Sequence, residues 1–269
     1  GMIQLPYTDV PQEMLSGLAD YQRVVDSQAS YAERVAKAKS EFSTRNKKTN
    51  MVFKEVRAAL SRMCTNTRRC CYCEDSMADE VEHIAPKDLY PERVFDWQNY
   101  LYACGPCNSP KGSQYAVVTA TGELQPVNRP KGAPVTPPMG GTHALINPRL
   151  ENPQDFLWLD IVDTFNFVAL ADPGTISERR AIYTCKILAL NNRDVLIEAR
   201  RVAFGSYRAR LFEYIHKRNG GAEDAELLRL IAGLRSMANP AVWAEMKRSH
   251  AARPEINQLF IQAPEALTW

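Results

Sequence analysis

No stretch of this chain approaches the roughly 20 consecutive apolar residues that a membrane-spanning helix needs, so a helical span is excluded. No secretory leader is visible, which removes the signal for export and, with the thiols described below, makes a reducing cytoplasm the expected compartment. Charge of one sign is missing too. The 33 Lys/Arg and 31 Asp/Glu leave a net charge of only +2, a balance that by itself selects no class of partner. No internal repeat is present, so a stacked-repeat architecture is not expected. The remaining composition, 45% hydrophobic and 24% charged over 269 residues, is that of an ordinary globular protein with room for one large domain or two smaller ones.

What is present is concentrated in residues 70–111. Cys70 and Cys73 form one Cys-x-x-Cys pair, and Cys104 and Cys107 form a second. A two-residue gap lets two thiolates of one tight turn face one ion, and two such turns make a tetrahedral four-thiolate zinc site. A redox dithiol is the chemical alternative, but it needs only one pair. Disulfides are a further alternative that a reducing compartment disfavours. Cys71 lacks the two-residue gap to Cys73 and is expected to be a spectator. Cys64 and Cys185 are expected to be small core residues.

Inside this frame lie the residues with catalytic chemistry. His83 sits in a short strand marked by Val81 and Ile84, and an imidazole there can serve as a general base. Glu82 is a hard oxygen donor suited to Mg2+ or Mn2+. Asn99 leads into a second expected strand, Tyr100-Leu101-Tyr102-Ala103. Asn108 follows Cys107 directly, and Lys111 lies about one helical turn further on, before Gly112 ends the helix.

In order, these elements read Cys-x-x-Cys-Glu, Glu-His-Ile-x-Pro-Lys, Trp-x-Asn and Cys-x-x-Cys-Asn-x-x-Lys. The stretch resembles the HNH, or ββα-metal, endonuclease motif in its zinc-braced form. More narrowly, it resembles the HNH nuclease subunit of retron and Septu-type anti-phage systems. The likeness covers 42 residues, with weaker echoes at Ile146-Asn147-Pro148, Asn152-Pro153 and Leu190–Asp194. It implies that His83 deprotonates a water which attacks a phosphodiester. It implies that Glu82 and Asn108 hold one divalent ion, that Asn99 fixes the loop and orients His83, and that Lys111 meets a phosphate as a point charge. It also implies DNA as substrate and an ATPase partner that gates activity. Two departures stand out: many members carry Asp at the position of Glu82 and His at that of Asn108.

Taken singly, each of these residues has a plainer reading. A strand histidine is usually structural, an asparagine like Asn99 usually makes a turn, Trp97 is usually core, and Lys111 is usually a solvated helix end. Only the joint pattern favours catalysis. The rival reading from a different class is an inert zinc-ribbon module that binds nucleic acid or acts as a scaffold.

Along the chain, charge is segregated even though its total is not. Residues 31–69 hold 11 Lys/Arg and three Glu, residues 70–111 hold three Lys/Arg and eight Asp/Glu, and residues 176–218 hold ten Lys/Arg and four Asp/Glu. An acidic, cation-gathering core beside basic segments suits nucleic acid; a solvated helical face is the alternative. Apolar periodicity predicts one helix from Pro11 to about Phe42 and another from Met51 to Met63 capped by Asn50. Residues 113–155 are too rich in proline for helix, with one short strand expected at Ala116–Thr119. His143 falls there and is expected at the surface. Strands are expected at Phe156–Leu159 and Phe165–Leu170, then helices near 177–217, 222–237, 240–249 and 254–262. The expected fold is α+β: a basic helical arm (1–69), a zinc-braced ββα-metal core (70–112), a Pro/Gly-rich insertion (113–175) and a mainly helical C-terminal region (176–269).

Overall fold

The computed structural model describes residues 2–269 and shows a mixed helix and sheet architecture. Three helices open the chain: α1 (Gln12–Asp26), α2 (Tyr31–Arg45) and α3 (Met51–Met63). The continuous helix predicted for 11–42 is thus two helices. Its apolar period runs on through the break, but Ser30 and Glu33 form a reciprocal capping box that starts a new helix at Tyr31. Asn50 caps α3 as expected, its side chain accepting from the Phe53 N–H at 3.0 Å.

The centre follows. Strand β1 (Glu80–His83) pairs antiparallel with β2 (Tyr100–Ala103), with Glu80 opposite Ala103 and His83 opposite Tyr100. Helix α4 (Gly105–Lys111) leaves β2 at once and ends at Gly112, whose φ of 44° suits a residue without a Cβ. Residues 113–155 hold three strands where one was expected. β3 (Ala116–Val118) lies between β4 (Leu124–Pro126) and β5 (Thr142–His143). The two outer strands are too short and irregular to leave a periodic trace. The hairpin β6 (Leu157–Leu159) and β7 (Phe167–Ala169) matches the two strands predicted there.

Helices α5 (Ile176–Ile187), α6 (Asp194–Asn219), α7 (Asp224–Arg235), α8 (Pro240–Ser249) and α9 (Pro254–Gln262) complete the chain. One contiguous buried apolar cluster runs from Met2 to Ala266, so arm, centre and C-terminal helices share a core. Arg200, expected on a basic surface, is instead buried. Its Nη1 donates to the Phe165 carbonyl at 2.6 Å, and its guanidinium stacks on Phe167 at 4.8 Å. Arg201, Arg208 and Arg210 do face solvent. His143 is half-buried rather than free at the surface, with Nδ1 2.8 Å from the Tyr115 hydroxyl.

Within the arm, α1 packs closely on α3 at Gly17, where a Cβ would stand 2.4 Å from Val52 Cγ2. Valine is stiff at χ1 and cannot swing aside without cost. Gly17→Ala is therefore expected to destabilise the chain by about 1–3 kcal/mol, read as a lower urea midpoint at unchanged m value.

Candidate metal and catalytic centre

The β1–β2 register brings the two cysteine turns together. Cys104 follows directly on Ala103, which is opposite Glu80, and the Cys70–Cys73 turn sits just before β1. A tetrahedron with Zn–S bonds of about 2.3 Å has edges of about 3.8 Å. The Cys73 and Cys104 sulfurs are 3.8 Å apart, and all four ligand sulfurs lie within 4.8 Å of one another. All four cysteines are buried. The neighbouring Cys104 sulfur pushes the Cys70 thiol up and the Cys73 thiol down, because four thiolates cannot ionise together in a dry site without a cation. These residues are positioned to bind a metal ion and suit structural zinc. Cys71 stays outside the tetrad, its sulfur 3.8 Å from that of Cys64; Cys185 is outside it too.

Two contacts from distant segments support this tetrad, and neither was anticipated. Arg193, at the start of α6, donates through Nη2 to Cys107 Sγ at 3.1 Å, placing a positive charge beside a site that four thiolates and one divalent ion leave anionic. Glu74, the residue after Cys73, adopts φ of 62° and accepts from the Ala241 N–H at 3.1 Å, at the start of α8. That carboxylate serves as a helix-end partner.

Beside the tetrad opens a cleft of about 510 Å³ lined by Glu80, Glu82, His83 and Asn108 from the centre, and by Phe42, Asn46 and Arg57 from the arm. β1 has a strand neighbour on one side only, so the cleft reaches residues from both of its faces. His83 is only 4% exposed. Its Nε2 is 2.9 Å from the Val94 carbonyl. A carbonyl can only accept, so Nε2 carries the proton and Nδ1 is left as the basic nitrogen. The ring packs against Phe42 at 4.4 Å and Tyr100 at 5.2 Å between centroids. Burial, aided by the Lys87 charge, pushes its pKa down to about 3 and keeps it neutral.

Asn99 is fully buried and spends its amide on the loop that follows His83. Oδ1 accepts from the Ala85 N–H at 2.8 Å, and Nδ2 donates to the Ala85 and Arg93 carbonyls, both at 3.0 Å. Arg93 immediately precedes Val94, the acceptor for His83, so the amide holds the segment that holds the imidazole.

The oxygen donors are arranged differently from expectation. Asn108 donates through Nδ2 to Glu80 Oε2 at 2.5 Å and lines the same cleft as Glu82. Glu80 was overlooked, although it lies two residues before Glu82 and so on the same face of β1. Lys111 was expected to meet a phosphate. It is instead fully buried, with Nζ donating to the His83 carbonyl at 2.8 Å and ion-paired with Glu82 Oε1. The short α4 turns its last residue back under β1, away from solvent. Oε1 faces that ammonium but accepts no well-aligned hydrogen bond, and burial raises the Glu82 carboxyl above the usual range despite Lys111. Glu80, Glu82 and Asn108 nonetheless line one cleft, and their oxygen donors are of the kind that suits a hard divalent cation.

Comparison with known proteins agrees with a partial relation. No family model matches the chain. Over 63 residues it is 43% identical to the Septu protein PtuB of Bacillus thuringiensis, a span that is 22% of this chain and 24% of that protein. The alignment therefore covers about a quarter of the relative's length, and the likeness is to part of a Septu-type protein. No helix among the described residues is long and apolar enough to cross a membrane.

Zinc analysis is expected to find about one ion per chain. Cys107→Ser should lose it together with the cooperative thermal transition, since binding energy at such sites is folding energy. Glu82→Gln and Lys111→Met should each cost about 3–5 kcal/mol by stranding a buried charge. The double variant should recover much of that loss in chemical denaturation; simple additivity would show that the two side chains do not act as a pair.

Proposed function

We propose that this chain is a metal-dependent HNH endonuclease that hydrolyses phosphodiester bonds in nucleic acid, with DNA as the expected substrate, and that it serves anti-phage defence in the cytoplasm beside an ATPase partner. The observation that carries this reading is His83: neutral, held by the Val94 carbonyl, and lining a cleft with two glutamates and an amide. The resemblance to a Septu-type protein carries the defence role and the partner.

In this reading Nδ1 of His83 accepts a proton from a water, whose oxygen attacks phosphorus as the bond to the 3′ oxygen breaks. Asn99 keeps the loop from drifting, so the Nε2–H···O=C contact persists while Nδ1 gains its proton. The phosphodiester brings negative charge into the cleft. That charge raises the proton affinity of an imidazole which the empty low-dielectric surroundings otherwise keep neutral. Glu82 and Asn108, with Glu80 adjoining, would hold Mg2+ or Mn2+, which supplies neutralisation of charge on the leaving oxygen. Lys111 holds Glu82 in place from behind.

One observation favours the rival, an inert zinc-ribbon binding or scaffold module. The Lys111 ammonium already offsets Glu82, which is the arrangement expected of a site that holds no second metal. Relaxation of supercoiled plasmid separates the two. Wild type with Mg2+ or Mn2+ should nick the plasmid, alone or with the ATPase partner added. His83→Ala, zinc-replete, should be slower by about 10²–10⁴-fold. Equal rates for the two proteins would remove His83 as the base, and no cutting under either condition would favour the module.

A further inference from the structure

One wall of the catalytic cleft does not come from the ββα centre at all. Phe42 and Asn46 from the end of α2 and Arg57 from α3 face the same space as His83 and Asn108. Arg57 is held there by neutral acceptors alone. Nη1 donates to the Phe53 carbonyl at 3.2 Å and the Lys47 carbonyl at 3.5 Å, and Nη2 donates to the Asn46 carbonyl at 3.4 Å and to Asn46 Oδ1. Among the described residues it makes no ion pair. Its position is set and its rotamer freedom already surrendered, yet its charge is uncompensated. Lys87 on the same cleft is likewise outside any ion pair, its Nζ 5.5 Å from the centre of the Phe42 ring. Lys39 is already committed to Asp88 of the cleft wall at 3.1 Å, and Lys111 to Glu82.

Glu80 and Glu82, with Asp79 and Asp88 on the same cleft, repel a phosphate, so a polyanion needs fixed cations there to enter. The four Nη–H donors of Arg57 are engaged, so what it offers a phosphate is a fixed positive charge and its Nε–H. We infer that Arg57, with Lys87, binds the phosphate neighbouring the scissile one, so that the N-terminal arm is part of the substrate site. This rests on the nuclease reading. It makes Arg57 a substrate-binding residue that lies outside the motif.

The test measures binding apart from cleavage. A short fluorescein-labelled single-stranded DNA is titrated by anisotropy into zinc-replete His83→Ala, alone and combined with Arg57→Gln, Arg57→Lys, Lys87→Gln or the exposed Lys48→Gln. Arg57→Gln and Lys87→Gln should each weaken binding about tenfold and flatten the salt dependence by about 0.7 in log–log slope. Arg57→Lys should lie between Gln and the parent, and Lys48→Gln should change little. Arg57 also closes the end of α2, so thermal unfolding is recorded for each variant; Lys87→Gln removes no backbone contact and stands as the second, independent arm. If both Gln variants bind like the parent while the wild type cuts, the inference falls and the nuclease stands. If Lys48→Gln weakens binding equally, a diffuse basic field replaces the clamp. If the wild type neither binds nor cuts, both readings fall together.

Discussion

Four sulfurs in a dry interior are the constraint on which the rest depends. Without a cation the four thiols cannot all ionise, and the two cysteine turns are held together only by backbone pairing, such as the Cys71 N–H to the Tyr102 carbonyl at 2.9 Å, and by the Arg193 contact. With a cation, the turn before β1 and the start of α4 are locked together, and the two-stranded β1–β2 pair is clamped at that end. Two strands of four residues are too small a sheet to be stable alone. The aromatic cluster of Phe42, Phe53, Phe95 and Tyr100 supplies part of what the sheet lacks, and an ion held by the four cysteines would supply the rest.

The same exclusion of water acts in opposite directions on adjacent residues. It favours the neutral form of His83, which is the form a base requires, and disfavours the charged form of Glu82, which is the form a metal ligand requires. Lys111 is the local answer to the second problem. A buried lysine is costly in isolation, but between a carboxylate and the His83 carbonyl it has two acceptors.

Local chemistry was legible wherever a residue's role depends on its near neighbours in sequence. The cysteine spacing, the Asn50 cap, the strands at 80–83 and 100–103 and the helix ending at Gly112 could all be read from adjacent residues. Of the residues singled out, Glu82, His83 and Asn108 line the cleft, while Asn99 is buried behind the loop that follows His83. What escaped depends on distant partners. The α1–α2 break is set by a capping box beneath an unbroken apolar period. Lys111 reads as a solvated helix end until α4 is seen to be too short to carry it into water. Glu80 was masked by the acidic run around it, and Arg200 by a cluster of arginines of which it alone is interior. Arg57 gave no signal, because its place on the cleft follows from how α3 packs on β2.

The contacts that brace the zinc turns span long stretches of chain. Arg193 reaches Cys107 across 86 residues, and the Ala241 amide reaches Glu74 across 167. During synthesis, then, the four ligands emerge together while their supports come much later. Between residues 107 and 193 the tetrad is complete but lacks the Arg193 charge on its anionic side, and until residue 241 Glu74 is without its helix. The nascent centre can capture its ion early, yet it reaches full rigidity only when the last third of the polypeptide has folded back onto it. Maturation of the site is thereby timed by α6 and α8 rather than by the motif.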